Sequence, residues 1–332
     1  MTPDDARWMS AALALASRGR GRTAPNPNVG CVVVKRGRVV GRGWTQAGGR
    51  PHAEAMALAE AGAESRGATC YVTLEPCAHR STRGPACSDL LVAAGVARVV
   101  GAIEDPDPRT AGTGFARLRD AGIAVTTGVE AVAARRSMAG FLTRLTLGRP
   151  HVTLKLATSL DGAIAMVSGE SRWITGPEAR AHVHLERSRH DAILVGRGTV
   201  AADAPALDVR LPGLEARSPM RVMLSATTMG DDDWHVIATP SAIATLPAID
   251  HLFVEGGART AAAFLAAELV DRLLLYRAPI LIGAGKPALA DFGLTALADT
   301  HGRWRLVDAR ALGRDRVEVY ERTPCLPASS PI

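Results

Sequence analysis

Residues 51–54 read Pro51-His52-Ala53-Glu54, and Glu75-Pro76-Cys77 and Cys87 follow downstream. Together they supply an imidazole, two thiols and a carboxylate. Zinc binds thiolate sulfur and imidazole nitrogen, and a catalytic zinc keeps one of its four positions open for water. With His52, Cys77 and Cys87 as ligands that position stays open, and Glu54 is left for a separate task. The bland alternative is a pair of core thiols beside an unrelated surface histidine. Against it stands the correlation of the set: helix start, strand end, helix start, with a proline beside both His52 and Cys77. The nine residues between Cys77 and Cys87 exclude the short Cys–Cys step of a structural zinc finger.

Working outward, residues 4–18 carry Trp8, Met9, Ala12, Leu13, Leu15 and Ala16 at helical spacing. Pro25 and Pro27 keep residues 23–28 extended. Strands at 29–35 and 39–44 meet at Arg36-Gly37 as a hairpin. Pro51 opens a helix with His52 and Glu54 in its first turn, residues 68–74 form a buried strand ending at Cys77, and Cys87 opens another helix. Strand 97–103, helix 111–121, strand 123–127 and helix 130–145 complete an α/β layer with a mostly parallel sheet. Gly148-Arg149-Pro150 marks a boundary. Beyond it come strand 151–157, helix 177–189, strands 191–195, 220–225, 234–238 and 250–254, helix 258–268, and strands 272–279, 304–308 and 315–320. The expected domains are 1–147 and 148–322, with a Pro- and Ser-rich tail, 323–332, that is flexible.

The chain has 332 residues, enough for two domains. No apolar run reaches the roughly 18 residues that span a bilayer. The acidic start Met1-Thr2-Pro3-Asp4-Asp5 lacks a signal peptide's basic and apolar regions, so a cytoplasmic protein is expected. Five cysteines, an odd number, argue against a disulfide framework; Cys31 and Cys70 read as buried thiols and Cys325 as part of the tail. The net charge of +6 suits a solvated Arg-rich surface and, more sharply, anionic phosphorylated small molecules. Aromatic residues make up only 4% of the chain, too few to interleave with basic runs for nucleic-acid stacking.

His-x-Glu followed by Pro-Cys marks zinc deaminases, in which the glutamate carries protons between water and the leaving amine. The first half of that mark is present here; the usual Cys-x-x-Cys step is not. Glu75 reads either as support for the metal ligands or as a plain strand-end carboxylate. Asn26, held between two prolines, has an amide suited to a pyrimidine edge. His79, Arg80 and Arg83 lie between the two cysteines and suit a phosphate. In the second half, Gly256-Gly257 opens a helix directly after a strand, where backbone N–H groups can approach a phosphate. Gly196-Arg197-Gly198-Thr199 repeats the arrangement, which points to a dinucleotide without the Rossmann fingerprint. Gly283-Ala284-Gly285-Lys286-Pro287 imitates a P-loop but has Pro287 where a metal-binding hydroxyl belongs.

The chain resembles the bifunctional deaminase–reductase family of riboflavin biosynthesis. The likeness rests on Pro25–Cys31 (PNPNVGC), Pro51–Glu54 (PHAE), Thr73–His79 (TLEPCAH), Lys155–Gly162 (KLATSLDG), Gly169–Gly176 (GESRWITG), Gly196–Arg210 (GRGTVAADAPALDVR) and Val254–Gly257 (VEGG). It implies a cytidine-deaminase-like N-terminal domain followed by a dihydrofolate-reductase-like C-terminal domain, both α/β. It implies zinc-dependent deamination of 2,5-diamino-6-(5-phosphoribosylamino)pyrimidin-4-one, then NADPH-dependent reduction to 5-amino-6-(5-phosphoribitylamino)uracil. Carried over, His52, Cys77 and Cys87 hold Zn2+ and Glu54 is the proton carrier. Ala157, Trp173, Thr199, Asp203, Ser225 and Gly257 would contact the nicotinamide cofactor. Asn26, His79, Arg83, Ser171, Arg187, Leu207, Arg210 and Glu255 would contact the phosphorylated pyrimidines. A homo-oligomer without nucleic-acid or membrane partners is expected. Three departures stand out: a longer Cys77–Cys87 loop, Ala204 where a second aspartate is usual, and a short 225–255 segment expected to lack a strand–helix unit. A deaminase with an impaired, scaffold-like reductase half, and a nucleic-acid deaminase, are the alternatives.

Overall fold

The computed structural model describes residues 3–79, 83–227 and 233–323; Arg80, Cys325 and the tail from residue 324 lie outside the described residues. The chain divides into two compact units, Met1–Gly148 and Arg149–Ile332.

In the first unit the order is α1 (Pro3–Ala16), β1 (Gly30–Lys35), β2 (Arg38–Trp44), α2 (Ala53–Ala61), β3 (Thr69–Val72), α3 (Cys87–Ala94), β4 (Arg98–Gly101), α4 (Thr113–Asp120), β5 (Ala124–Thr127), α5 (Ala131–Ser137) and α6 (Ala139–Leu147). The sheet runs β2-β1-β3-β4-β5. It is mixed rather than mostly parallel: β1 is antiparallel to β2 and β3, and only β3, β4 and β5 run together. The hairpin closes because Arg36 (φ 48°) and Gly37 (φ 73°) both adopt the left-handed conformation that a two-residue turn demands. Met9, Val33, Leu91, Phe115 and Leu118 lie in the core.

Two details position the chemistry. Helix α2 lies almost on the backbone of β2: a Cβ on Gly41 or Gly43 would come 2.1 Å from the carbonyls of Ala57 and Ala53. Those glycines therefore set where α2 begins. His52 is the residue before the helix, with extended backbone (φ −73°, ψ 162°), rather than part of the first turn as expected. The helix expected over 130–145 is two helices broken at Met138. Asn28 Nδ2 donates to the Ser137 carbonyl at 3.2 Å, and a side chain drawing on a helical carbonyl in this way breaks the ladder.

The second unit contains β6 (His151–Thr158), β7 (Ala163–Ala165), α7 (Pro177–Arg187), β8 (Ala192–Gly196), α8 (Arg197–Asp203), β9 (Met220–Leu224), β10 (His235–Ile237), β11 (His251–Val254), α9 (Ala258–Ala266), β12 (Arg272–Arg277), β13 (Lys286–Pro287), β14 (Trp304–Leu312) and β15 (Asp315–Arg322). Its main sheet runs β10-β9-β8-β11-β6-β12-β15-β14. The first six strands are parallel, and β15 and β14 close the edge antiparallel. Successive residues face opposite layers: Leu252 and Val254 join one core cluster and Phe253 the other. Between β9 and β11 stand β10 and a single 3-10 stretch, Pro240–Thr245, with no α-helix among the described residues. Elements β7, α8 and β13, of 3, 7 and 2 residues, are too short to show a period in the sequence.

Candidate active sites

In the first unit His52 Nδ1 lies 3.3 Å from Cys87 Sγ and 3.7 Å from Cys77 Sγ, and the three ligand atoms all fall within 4.8 Å of one another. A tetrahedral zinc with bonds of about 2.0 Å to nitrogen and 2.3 Å to sulfur places those atoms about 3.5 Å apart, so the donor set fits the metal. Cys77 arrives from the loop after β3, and Cys87 is the first residue of α3. The Cys87 backbone N–H donates to Cys77 Sγ at 3.3 Å. Hydrogen bonding from the Cys87 thiol, helped by His52, pulls the Cys77 pKa down to about 4 against its burial, so that sulfur is a ready thiolate. The Cys87 thiol, donating to Cys77 and itself buried, is pushed up.

Glu54 is only 3% exposed and lines the same cavity as His52 and Cys77. Burial pushes its pKa up to about 7, His52 opposing and Cys77 reinforcing. A carboxyl in that range exchanges its proton readily at neutral pH.

The remaining first-unit residues divide. Asn26 lines the cavity, but its Nδ2 donates to the Gly49 carbonyl at 2.9 Å and stands 3.0 Å from His52 Nε2. With Nδ1 turned to the two sulfurs, Nε2 carries the ring proton, so the bond to the Gly49 carbonyl is the one that fixes the Asn26 amide. His79 also lines the cavity, its Nδ1 3.4 Å from Thr110 Oγ1. Arg83 Nη2 donates to the Gly48 carbonyl at 2.9 Å, beside the residue that holds Asn26. Glu75 accepts the backbone N–H groups of Asp105, Gly112 and Phe115 at 3.1, 2.9 and 2.9 Å. It is a clamp on the start of α4, and through that on the 105–109 stretch lining the cavity. Asp105, which no sequence motif marks, is 7% exposed in that wall, and burial raises its pKa to about 6.

In the second unit the carboxyl ends of β6, β8, β9 and β11 bring together Ala157, Gly196, Ser225 and Glu255, the edge at which open parallel sheets bind ligands. The two glycines of the Gly256-Gly257 turn have different reasons. A Cβ on Gly256 would meet the Thr260 side chain at 2.3 Å, so Gly256 serves helix packing. A Cβ on Gly257 would meet nothing closer than Thr199 Oγ1 at 4.0 Å, so the start of α9 is open to a ligand and fits a cofactor phosphate. Gly256→Ala should lower the stability of the second unit by roughly 1–3 kcal/mol. The check is its unfolding midpoint, with deamination unchanged.

Trp173 is 65% exposed with the Arg180 guanidinium 4.6 Å from its ring. Asp203 ends α8 and pairs with Arg172 at 3.5 Å. Ser225 is buried, its hydroxyl donating to the Thr227 carbonyl. Ser171 is exposed. Leu207 is buried with φ 55°, and the exposed Arg210 donates through Nε to Asp208 at 2.9 Å. Arg187 grips Glu255 in a fork, Nε to Oε1 at 2.6 Å and Nη2 to Oε2 at 3.1 Å. Lys155, which sequence reasoning left out of the site although it lies in a matched motif, has its Nζ 3.7 Å from the same carboxylate. Burial alone would raise the Glu255 pKa; Arg187 and Lys155 outweigh it and hold the carboxyl below its ordinary value.

A His–Cys–Cys cluster with a buried carboxylate, followed by a parallel sheet with an open helix start at its carboxyl edge, defines a zinc deaminase fused to a nucleotide-dependent reductase. Residues 2–103 match the cytidine and deoxycytidylate deaminase zinc-binding region, and residues 150–317 match the RibD C-terminal domain. The chain is 40% identical to riboflavin biosynthesis protein RibD of Escherichia coli (strain K12), over 94% of this chain and 97% of that protein. It is 37% identical to RibD of Aquifex aeolicus, over 96% and 98%. Among solved structures, Acinetobacter baumannii RibD superposes with a TM-score of 0.86 at 37% identity, covering 96% of this chain and 99% of that one. A deaminase/reductase from Thermotoga maritima gives 0.86 at 33% identity with the same coverage. The chain belongs to the RibD family: it is a bifunctional enzyme of riboflavin biosynthesis, with zinc deaminase and NADPH reductase halves. The RibD C-terminal match, residues 150–317, includes the short 225–255 segment, and a mere scaffold is not favoured.

Proposed function

We propose that the first unit removes the 2-amino group of 2,5-diamino-6-(5-phosphoribosylamino)pyrimidin-4-one. The second unit then reduces the ribosyl group with NADPH to give 5-amino-6-(5-phosphoribitylamino)uracil. The Thermotoga maritima relative carries the corresponding deaminase and reductase names. The observation that carries the reading is the convergence of His52, Cys77 and Cys87 beside a buried Glu54 that is not one of them. Zinc on these three residues would supply a water acidified toward a pKa of about 7. Glu54, beside the three ligands, would carry the proton between water and the departing amine. Asn26, its Nδ2 held by the Gly49 carbonyl, offers Oδ1 to the pyrimidine. His79 and Arg83 lie toward the substrate's phosphate.

NADPH would supply the hydride, held by Ala157, Trp173, Thr199, Asp203, Ser225 and Gly257. Lys155 and the Arg187–Glu255 pair form the floor under the sugar, Ser171 and Leu207 flank it, and Arg210 grips the phosphate. Guanidinium geometry supports that last role. The protein acts in the cytoplasm, where its adjacent Cys31 and Cys70 thiols, 3.3 Å apart, stay reduced. No described helix is long and apolar enough to cross a membrane, and the scarcity of aromatics speaks against nucleic acid. The outer edge of β14, with Leu306 50% exposed, supports self-association into a homo-oligomer.

A two-stage assay tests the reading. With both steps followed separately, the protein should carry one zinc per chain and convert the diaminopyrimidine through to the ribitylamino product. A chelator strong enough to strip the metal should abolish deamination and leave reduction of pre-deaminated substrate untouched. Failure of both steps in the zinc-loaded protein would end the proposal, and a chelator-sensitive reductase would misplace the metal.

A further inference from the structure

We propose that His184 is a positioning residue of the reductase, holding the backbone of the 207–210 stretch so that Arg210 is presented to the substrate's phosphate. The inference rests on the assignment of Arg210 to that phosphate.

The stretch between the end of α8 and the start of β9 has no helical or sheet ladder around residues 204–210 to fix it. Its backbone is nevertheless tied at three consecutive residues. Arg187 Nη1 donates to the Asp208 carbonyl at 3.0 Å. The Val209 N–H donates to Ser218 Oγ at 3.0 Å. The Arg210 N–H donates to His184 Nδ1 at 3.2 Å. His184 Nδ1 also stands 3.0 Å from the Asp208 carbonyl. One nitrogen cannot both donate and accept in the neutral ring. The Asp208 carbonyl has two lone pairs and can take hydrogens from both Arg187 and His184, so in either tautomer Nδ1 ties α7 to this backbone, donating to Asp208 or accepting from Arg210. Burial, reinforced by Arg187 and opposed by the Asp208 carbonyl, lowers the His184 pKa.

His184 and Arg187 are three residues apart in α7 and so share a face. Arg187 fixes the loop to the Glu255 floor, and His184 fixes the one residue whose guanidinium remains largely in solvent. Leu207, with its left-handed φ of 55°, is the kind of backbone that needs such surrounding support. Losing His184 leaves the Arg210 side chain present but its anchor loose, which should weaken binding without altering hydride transfer.

The test uses the full chain with saturating NADPH and pre-deaminated substrate. His184→Ala should raise the reductase KM for that substrate about 10-fold, the equivalent of about 1.4 kcal/mol for one lost hydrogen bond, with kcat within about twofold. His184→Asn, whose amide oxygen can occupy the place of Nδ1, should recover most of the loss. Arg210→Ala should raise KM at least as much, and His184→Ala added to it should cost little more, because both act through one contact. Unchanged KM in Arg210→Ala would overturn the phosphate assignment and this inference with it. Unchanged KM in His184→Ala beside a defective Arg210→Ala would overturn the inference alone. Equal losses in kcat, NADPH binding and substrate KM, unrescued by Asn, would also overturn it, since they mark a general loss of fold.

Discussion

Replacing Glu54 by Gln should cut deaminase turnover by about 10²–10⁴-fold, the usual worth of a positioned acid–base group, while zinc remains at wild-type stoichiometry and the reductase is untouched. The carboxylate is not part of the His52–Cys77–Cys87 set, so an amide of the same shape should not disturb the metal. It is 3% exposed, and burial raises its pKa above the ordinary carboxylate value. Gln retains the volume and loses the proton exchange. Metal analysis together with separate deaminase and reductase rates checks this. Turnover within tenfold of wild type would place the proton carrier elsewhere in the cavity, whose wall also holds Asp105. Loss of zinc along with activity would make Glu54 a ligand.

Local chemistry was legible and long-range commitments were not. The hairpin at Arg36-Gly37, the strand ending before Cys77 and the helix opening at Cys87 are each encoded within a few residues by turn, proline and alternation signals. The metal cluster could be read because its residue types are rare and their chemistry narrow. Asn26 is harder: that its Nδ2 is taken by the Gly49 carbonyl depends on a pairing 23 residues away. Glu75 was left between two roles, and the partners that decide it, Asp105, Gly112 and Phe115, lie 30 to 40 residues on. Gly256-Gly257 reads as one phosphate turn in sequence, yet only one of the pair faces open space. The break at Met138 is invisible locally because its cause, Asn28, sits 109 residues from Ser137.

Arg187 shows the same limit with the largest energetic consequence. In sequence it looks like a phosphate fork; in the fold it is spent on Glu255, whose side chain is 8% exposed. Arg187→Ala should therefore destabilise the second unit by about 3–5 kcal/mol, because removing one partner of a buried pair strands the other charge. Reduction should be lost and deamination kept. The pH dependence separates this from a simple packing defect. In the wild type the Glu255 pKa is depressed, so its contribution is present above the unfolded value of about 4.3 and disappears as pH falls through the lower folded value. In the variant burial prevails over Lys155 alone, the folded pKa rises above the unfolded one, and the stranded carboxylate penalises folding most at high pH. The stability gap between the two proteins should consequently narrow as pH is lowered from 7 toward 4. Thermal unfolding of the second unit across that range measures it. A gap that stays constant would mean Arg187 contributes bulk rather than charge, and a variant that reduces substrate normally would remove the pair from the floor of the site.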